Sequence, residues 1–587
     1  MNLTQPITQL ISRLWHHIGS RRRGQFWILL VLMTLSSFAE ILSIGAVLPF
    51  LGALTAPSRI FQHPAAQPFI QALGLTSVEQ LLLPLTITFG LAALVASELR
   101  VFLLWASIRL SFAVGADLSN GIYRRTLYQP YAVHIARNSS EVINGISTKV
   151  GEVIFYILMP TLNLISASVM LVAILLALLS IIPGIALAAF AGFGLIYAFI
   201  IRLARNRLKI DSQHIAREST NVIKSLQEGL GGIRDVLIDG SQEIFCTNYR
   251  NADQTLRRAQ GSNQFISNSP RYGMEALAML LIATLAYLLA KQPDGLAMAI
   301  PMLAAMALGL QRLLPALQQA YGAWSTIHGA QASLQDALEL LDQPLPDHAE
   351  KSSASPLPFQ QQIRLHQISF RYGPQTPWVL KDIDLSLVKG SRVGFIGTTG
   401  SGKSTLLDII MGLLQPTEGT IEIDGAVITV ENHRSWQAHI AHVPQAIFLA
   451  DSNIEENIAF GVPRDQIDHE RVRQAARQAQ IADIIETWPS QYQTNVGERG
   501  VQLSGGQRQR IGIARALYKR ADVIIFDEST SALDNETELA VMQAIEALSD
   551  DLTVLIIAHR LSTLKNCTQI IEIANGSIQK RKNLTDE

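Results

Sequence analysis

Six long apolar stretches decide most of what this 587-residue chain can become. They lie near residues 26–54, 81–108, 155–179, 184–203, 272–290 and 296–317. Each can cross ~30 Å of hydrocarbon as a helix rising ~1.5 Å per residue. The first, Phe26 to Leu54, is far longer than the core of a secretory leader and lacks a small-residue cleavage site, so it reads as a span. Hydrophobic residues make up 48% and charged residues 16% of the chain, and mean hydropathy is +0.23, values that suit a part-membrane, part-soluble protein. A formal charge of −1 argues against a protein that coats nucleic acid. Cys246 and Cys567 stand far apart without C-x-x-C spacing, which disfavours a disulfide framework or a zinc site.

Basic residues fix the orientation. Arg21, Arg22 and Arg23, with the basic residues of the 110–154 and 204–271 segments, face loops that carry little beyond Arg59 and Lys291. The positive-inside rule then places both termini in the cytosol of a cell inner (plasma) membrane protein. Pro57 to Gln80 is the sizeable outer loop, with a short interfacial helix near Pro68–Leu73. The long inner segments read as spans continuing into the cytosol and turning through transverse helices near Tyr128–Asn138 and Gly231–Glu243.

Ionisable residues inside spans are costly and usually face a cavity or a partner. Counting along the helices, Arg100 lies ~28 Å into span two and Arg312 ~24 Å into span six, while Arg271 starts span five. Such arginines can grip a phosphate or pyrophosphate head group bidentately. They can equally snorkel to lipid phosphate or pair with Glu98 and Glu275.

Past span six the composition changes. Residues 1–335 form the membrane domain, 336–360 a Pro/Ser-rich linker, and 361–582 an alternation of strand-like and helical stretches typical of an α/β domain. Within it, Gly397-Thr398-Thr399-Gly400-Ser401-Gly402-Lys403-Ser404-Thr405 matches G-x-x-x-x-G-K-[ST] between a strand-like and a helix-like run. Its glycines let successive N–H groups converge on phosphate oxygens, Lys403 would meet the β- and γ-phosphates of ATP, and Ser404 would ligate Mg²⁺. Asp527 and Glu528 end the apolar run Val523-Ile-Ile-Phe526, at the edge where an α/β sheet binds ligand. Asp527 would hold Mg²⁺ and Glu528 would polarise the attacking water. Ser504 and the glycines of Leu503-Ser504-Gly505-Gly506-Gln507 make a second anion site at a helix start. Tyr372 could stack on adenine or be an ordinary surface ring. His559 could bond a γ-phosphate oxygen, although a lone histidine is more often structural.

Together Gly397–Thr405, Gln445, Leu503–Gln507, Asp527–Glu528, Ser531–Asp534 and His559 resemble the complete motif set of an ABC-transporter nucleotide-binding domain. With six preceding spans, the chain is similar to a type IV (type I exporter) half-transporter: an all-α six-helix transmembrane domain followed by an α/β P-loop ATPase. That resemblance implies ATP hydrolysis with Mg²⁺ held by Ser404, Gln445 and Asp527, and a homodimer in which Leu503–Gln507 of one copy closes over ATP on the other. It also implies dimer or coupling roles for Asp534 and for Glu498 and Arg499 of Gly497-Glu-Arg-Gly500, which resembles the exporter X-loop. The stretch Ser36 to Phe50 is similar to bacterial flippases of polyprenyl-pyrophosphate-linked oligosaccharides, implying a lipid-linked saccharide as cargo. The alternative is a multidrug or lipid exporter. A soluble ABC ATPase would lack the spans, and Gln445 and Leu503 are only 58 positions apart, too close for a long coiled-coil insertion.

Overall fold

Inside lipid each backbone N–H and C=O must be satisfied by the segment itself, so long apolar runs become helices. The computed structural model describes residues 5–55, 58, 61–62, 67–72, 74–181, 183–290, 295–346, 349, 356–527, 535–546, 551–557, 564 and 567–583. The chain divides into two units, and the first comprises Met1–Gln129 and Arg137–Leu345.

Among the described residues the regular elements of this unit are all helices. Its long members are α2 (Ser20–Thr55), after the amphipathic α1 (Ile7–His17), and, after the short α3 (Gln67–Ala72), α4 (Leu82–Leu127). The short α5 (Tyr131–Ala136) belongs to the other unit. The chain then runs through α6 (Ser139–Asn144), α7 (Val150–Val153), α8 (Met159–Ile181) and α9 (Pro183–Gly231). After α10 (Ile233–Ile238) come α11 (Gln242–Asn268), α12 (Pro270–Ala290), α13 (Gly295–Gly329) and α14 (Gln331–Leu341). Among the described residues, Ser20–Ser43, Leu82–Leu127 and Ser139–Leu176 are each helical and apolar over a membrane-crossing length. Trp27 and Ile28 of α2, Leu83 and Val101 of α4 and Leu195 of α9 point outward, an apolar exterior that suits lipid and not water.

Helix α1 buries Leu10 and Leu14 in a core shared with Ile122, Ile157, Leu334 and Leu338. Arg13 and His17 of α1 both reach Asp342, just past α14. Burial alone would raise the Asp342 carboxyl, but these two hydrogen bonds outweigh it and hold the group below its ordinary value. Two π-helical turns, Gly145–Lys149 and Ile154–Leu158, interrupt the path from α6 to α8 on either side of α7. The continuous helical path therefore begins well before the apolar run at 155.

The second unit joins Pro130–Ala136 to Pro346–Glu587 and is α/β. Strands β1 (Gln362–Phe370), β2 (Leu380–Val388), β4 (Glu418–Ile423) and β5 (Ala426–Val427) form an antiparallel sheet in the order β2-β1-β4-β5. Strands β3 (Arg392–Ile396), β6 (Ile440–Val443), β7 (Val523–Asp527), β8 (Thr553–Ile557), β9 (Gln569–Ala574) and β10 (Ser577–Asn583) form the other, in the order β10-β9-β3-β8-β7-β6. Apart from the antiparallel edge strand β10 this sheet is parallel. Its central strands are covered on both faces, which explains why β7 and β8 read as unbroken apolar runs whereas β2 alternates. Helix α15 (Lys403–Ile410) follows β3. Between β6 and β7 lie α16 (Ile454–Ile458), α17 (His469–Gln478), α18 (Ala482–Thr487) and α19 (Gly505–Lys519), packed through Ile454, Val472, Ile485 and Ile511.

Candidate nucleotide site and membrane cleft

The phosphate loop is built from β3 outward. Val393, Gly394 and Phe395 pair with β8 on one side and β9 on the other, so the strand end is rigid where the loop begins. At Gly397 φ is +148°, and a Cβ there would lie 2.1 Å from the Ile573 carbonyl oxygen. Gly402, at φ +102°, caps α15 where a Cβ would press on Leu380 and Val379. Thr398, Thr399 and Gly400 form the exposed lip of the loop, while Ser401 is buried beneath it. Lys403 is buried too, its Nζ donating to the carbonyls of Gly397 at 2.9 Å and Thr398 at 3.0 Å. The ammonium thus lies folded over the concavity that a phosphate would enter, held by two neutral acceptors that an anion outcompetes.

Ser404 is exposed on the first turn of α15. Asp527 ends β7, and Gln445 sits on the bend after β6, the strand paired with β7 through Val443 and Phe526. A hydroxyl, a carboxylate and an amide oxygen are hard donors of the kind Mg²⁺ takes, so this residue set fits the ion. Thr405 is buried and shares a hydrogen bond of 3.1 Å with the Tyr372 hydroxyl. The Tyr372 ring stands edge-on to Phe370 and remains 53% exposed, leaving surface for a base to cover.

Asp408 escaped the motif reading. It lies one turn beyond Ser404 on the same face of α15, and burial followed by the neighbouring Asp527 pushes its carboxyl up to about 6. The i, i+4 spacing from Ser404 was the available signal. Tyr131 of α5 belongs to this environment: burial first, then Asp408 and Tyr372, raise its hydroxyl above the ordinary tyrosine range.

Ser504 caps α19. Its Oγ accepts from the Gln507 N–H at 3.2 Å, and the Gln507 side chain accepts from the Ser504 N–H at 2.9 Å, closing a capping box. Leu503 anchors the turn in the core while Ser504 and Gly505 stay exposed at the positive end of a 15-residue helix. Just upstream, Glu498 and Arg499 are exposed on a tight turn with Arg499 at φ +53°. Glu528, Ser531–Asp534 and His559 lie outside the described residues.

In the membrane unit, Arg100 donates to Glu40 of α2 at 2.9 Å, and this carboxylate is buried. Arg271 donates to Glu275 one turn on at 2.8 Å. Glu98 points to the exterior. Arg312 lies on α13, and its side chain falls outside the described ones. Arg271 and Glu275 border a cleft of about 480 Å³ between α9, α11, α12 and α13.

Residues 26–306 match the ABC transporter transmembrane region, and residues 380–531 match the ABC transporter family. The ATP-dependent lipid A-core flippase of Alkalilimnicola ehrlichii is 33% identical over 420 residues, 69% of each chain. That of Ralstonia nicotianae is 30% identical over 489 residues, 79% of this chain and 78% of the relative. The chain belongs to the ABC transporters. As one, it is an ATP hydrolase whose turnover is coupled to transport across a membrane. An ATP-bound bacterial Atm1-family ABC exporter shares the fold of this ABC transporter with a TM-score of 0.74, at 24% identity and over 92% of this chain and 95% of that one.

Proposed function

We propose that this ABC transporter is a flippase that moves an amphipathic lipid, a polyprenyl-pyrophosphate-linked oligosaccharide, from the inner to the outer face of a cell inner membrane. The observation that carries the reading is the phosphate loop around Lys403 on the same chain as a helical bundle with an apolar exterior and a polar cleft. Relatives at 30–33% identity named as lipid A-core flippases support a lipid cargo. Both termini lie in the cytosol, as the basic inner segments require.

In this reading the loop N–H groups and Lys403 bind the ATP phosphates and Tyr372 supports the base. Ser404, Gln445 and Asp527 hold Mg²⁺, which when bound neutralises phosphate charge. Glu528 orients water for attack, and His559 bonds the γ-phosphate. Two copies associate so that Ser504 and the N–H groups of Gly505 and Gly506 in each close over the nucleotide of the other, with Asp534, Glu498 and Arg499 at the joint. Arg100, Arg271 and Arg312 line the path of the cargo.

Reconstitution into liposomes tests this. ATP should accelerate passage of a fluorescent lipid-linked saccharide between leaflets, and Lys403→Ala should abolish both ATP hydrolysis and passage. Hydrolysis without passage of any lipid overturns the flippase reading; passage of amphiphilic drugs instead would favour a multidrug exporter.

A further inference from the structure

Among its described residues the cleft beside Arg271 is polar but carries no net charge. Its only ionisable groups among the described residues, tyrosines aside, are Arg271 and Glu275, and these pair at 2.8 Å. Gln318 adds its own hydrogen bond to Glu275. A pyrophosphate entering here would meet a guanidinium already neutralised and a carboxylate beside it, so the local field gives it little. The remaining polar lining is dominated by side-chain amides, Asn268, Gln311, Gln318 and Gln319. An amide offers a donor and an acceptor together, the same pairing a sugar hydroxyl presents.

Tyr197 supplies the second observation. Only 6% of it is exposed, it lines the cleft, and its hydroxyl has no hydrogen-bond partner. A buried hydroxyl left so is costly, and a ligand hydroxyl that pairs with it removes that cost. Its ring packs against that of Tyr321, 5.4 Å between centroids, and both rings are buried, which fixes where the hydroxyl stands. A volume near 480 Å³ falls within the range of small-molecule sites and takes one or two hexose rings.

We infer that this cleft recognises the uncharged, hydroxyl-rich part of the cargo through Tyr197 and the amides of Asn268, Gln311 and Gln318, and does not read the phosphate linkage. The inference rests on the lipid-flipping reading and narrows it to the sugar.

The full-length protein in liposomes is titrated with three lipids, and ATPase stimulation is followed. The probes are undecaprenyl pyrophosphate, the same lipid bearing an oligosaccharide, and an uncharged dihexosyl diacylglycerol. Both sugar-bearing lipids should stimulate at concentrations at least about tenfold below the bare pyrophosphate lipid. In Gln311→Leu/Gln318→Leu that ratio should collapse towards one, and Tyr197→Phe, which removes only the hydroxyl, should shrink it several-fold. Equal stimulation by all three lipids in wild type, or a ratio that survives in both variants, overturns the assignment alone. No stimulation by any of them, together with no ATP-dependent passage of a fluorescent lipid, overturns the flippase reading and the assignment with it.

Discussion

At the scale of single residues, the phosphate loop is constrained by backbone geometry before chemistry. Gly397 combines a φ open to glycine with a carbonyl where a Cβ would sit, so Gly397→Ala is expected to cost on the order of 2–3 kcal/mol and to abolish nucleotide binding, read by thermal melting and by binding of a fluorescent ATP analogue. Asp408 gives a pH-dependent test. Its folded pKa of about 6 stands above the ordinary 3.8, so the protonated form is the one that folding favours. The stabilising contribution is complete below about pH 4 and lost as pH rises through 6. Nucleotide-free Asp408→Asn should therefore melt above wild type at pH 8 and together with it near pH 4; an equal gap at both pH values would refute the linkage. Lys403, Ser404 and Asp527 were legible in the sequence because each belongs to a local pattern with a known ligand. Asp408 was not, because its shift comes first from burial and then from Asp527, a residue remote along the chain, and both are settled by the tertiary fold. The arginine partners were half legible: Glu275 is one helical turn from Arg271, but Arg100 turned to Glu40 on another helix in preference to its neighbour Glu98.

At the scale of elements, apolar length announced the long helices, since a run long enough to cross lipid has few other fates. The π turns around α7 left no such trace. Each adds one residue to a turn without interrupting the apolar pattern, so the expected continuation of the span before 155 carried no sign of where the helix changes its winding. The α/β character of the second half was legible from alternation, but its division into two sheets was not, because strand pairing such as β1 with β4 is settled by contacts across about 50 residues of chain. The cap of α19 was visible, and its value is measurable. Ser504→Ala removes one half of the capping box and should cost about 1 kcal/mol of stability, seen as a small fall in melting temperature. ATP hydrolysis should fall much further if the same hydroxyl and N–H groups serve nucleotide on a second copy.

At the scale of the whole molecule, the chain carries one phosphate loop and one Leu503–Gln507 segment, and the proposed pairing makes a sharp statement about mixtures. Lys403→Ala and Ser504→Ala proteins, each nearly inactive alone, should regain hydrolysis when co-expressed and purified as mixed pairs through two tags. One of the two composite sites in such a pair is intact. Absence of any recovery would show that each copy works by itself. The lengths of α4 and α9, 46 and 49 residues, carry their own corollary. An unbroken helix of that size is a shaft roughly 70 Å long, and a shaft has no slack: torque or thrust at one tip is delivered at the other undiminished. Engineering a pliant joint midway along either one would leave an engine that burns fuel at full rate while the wheels stand still.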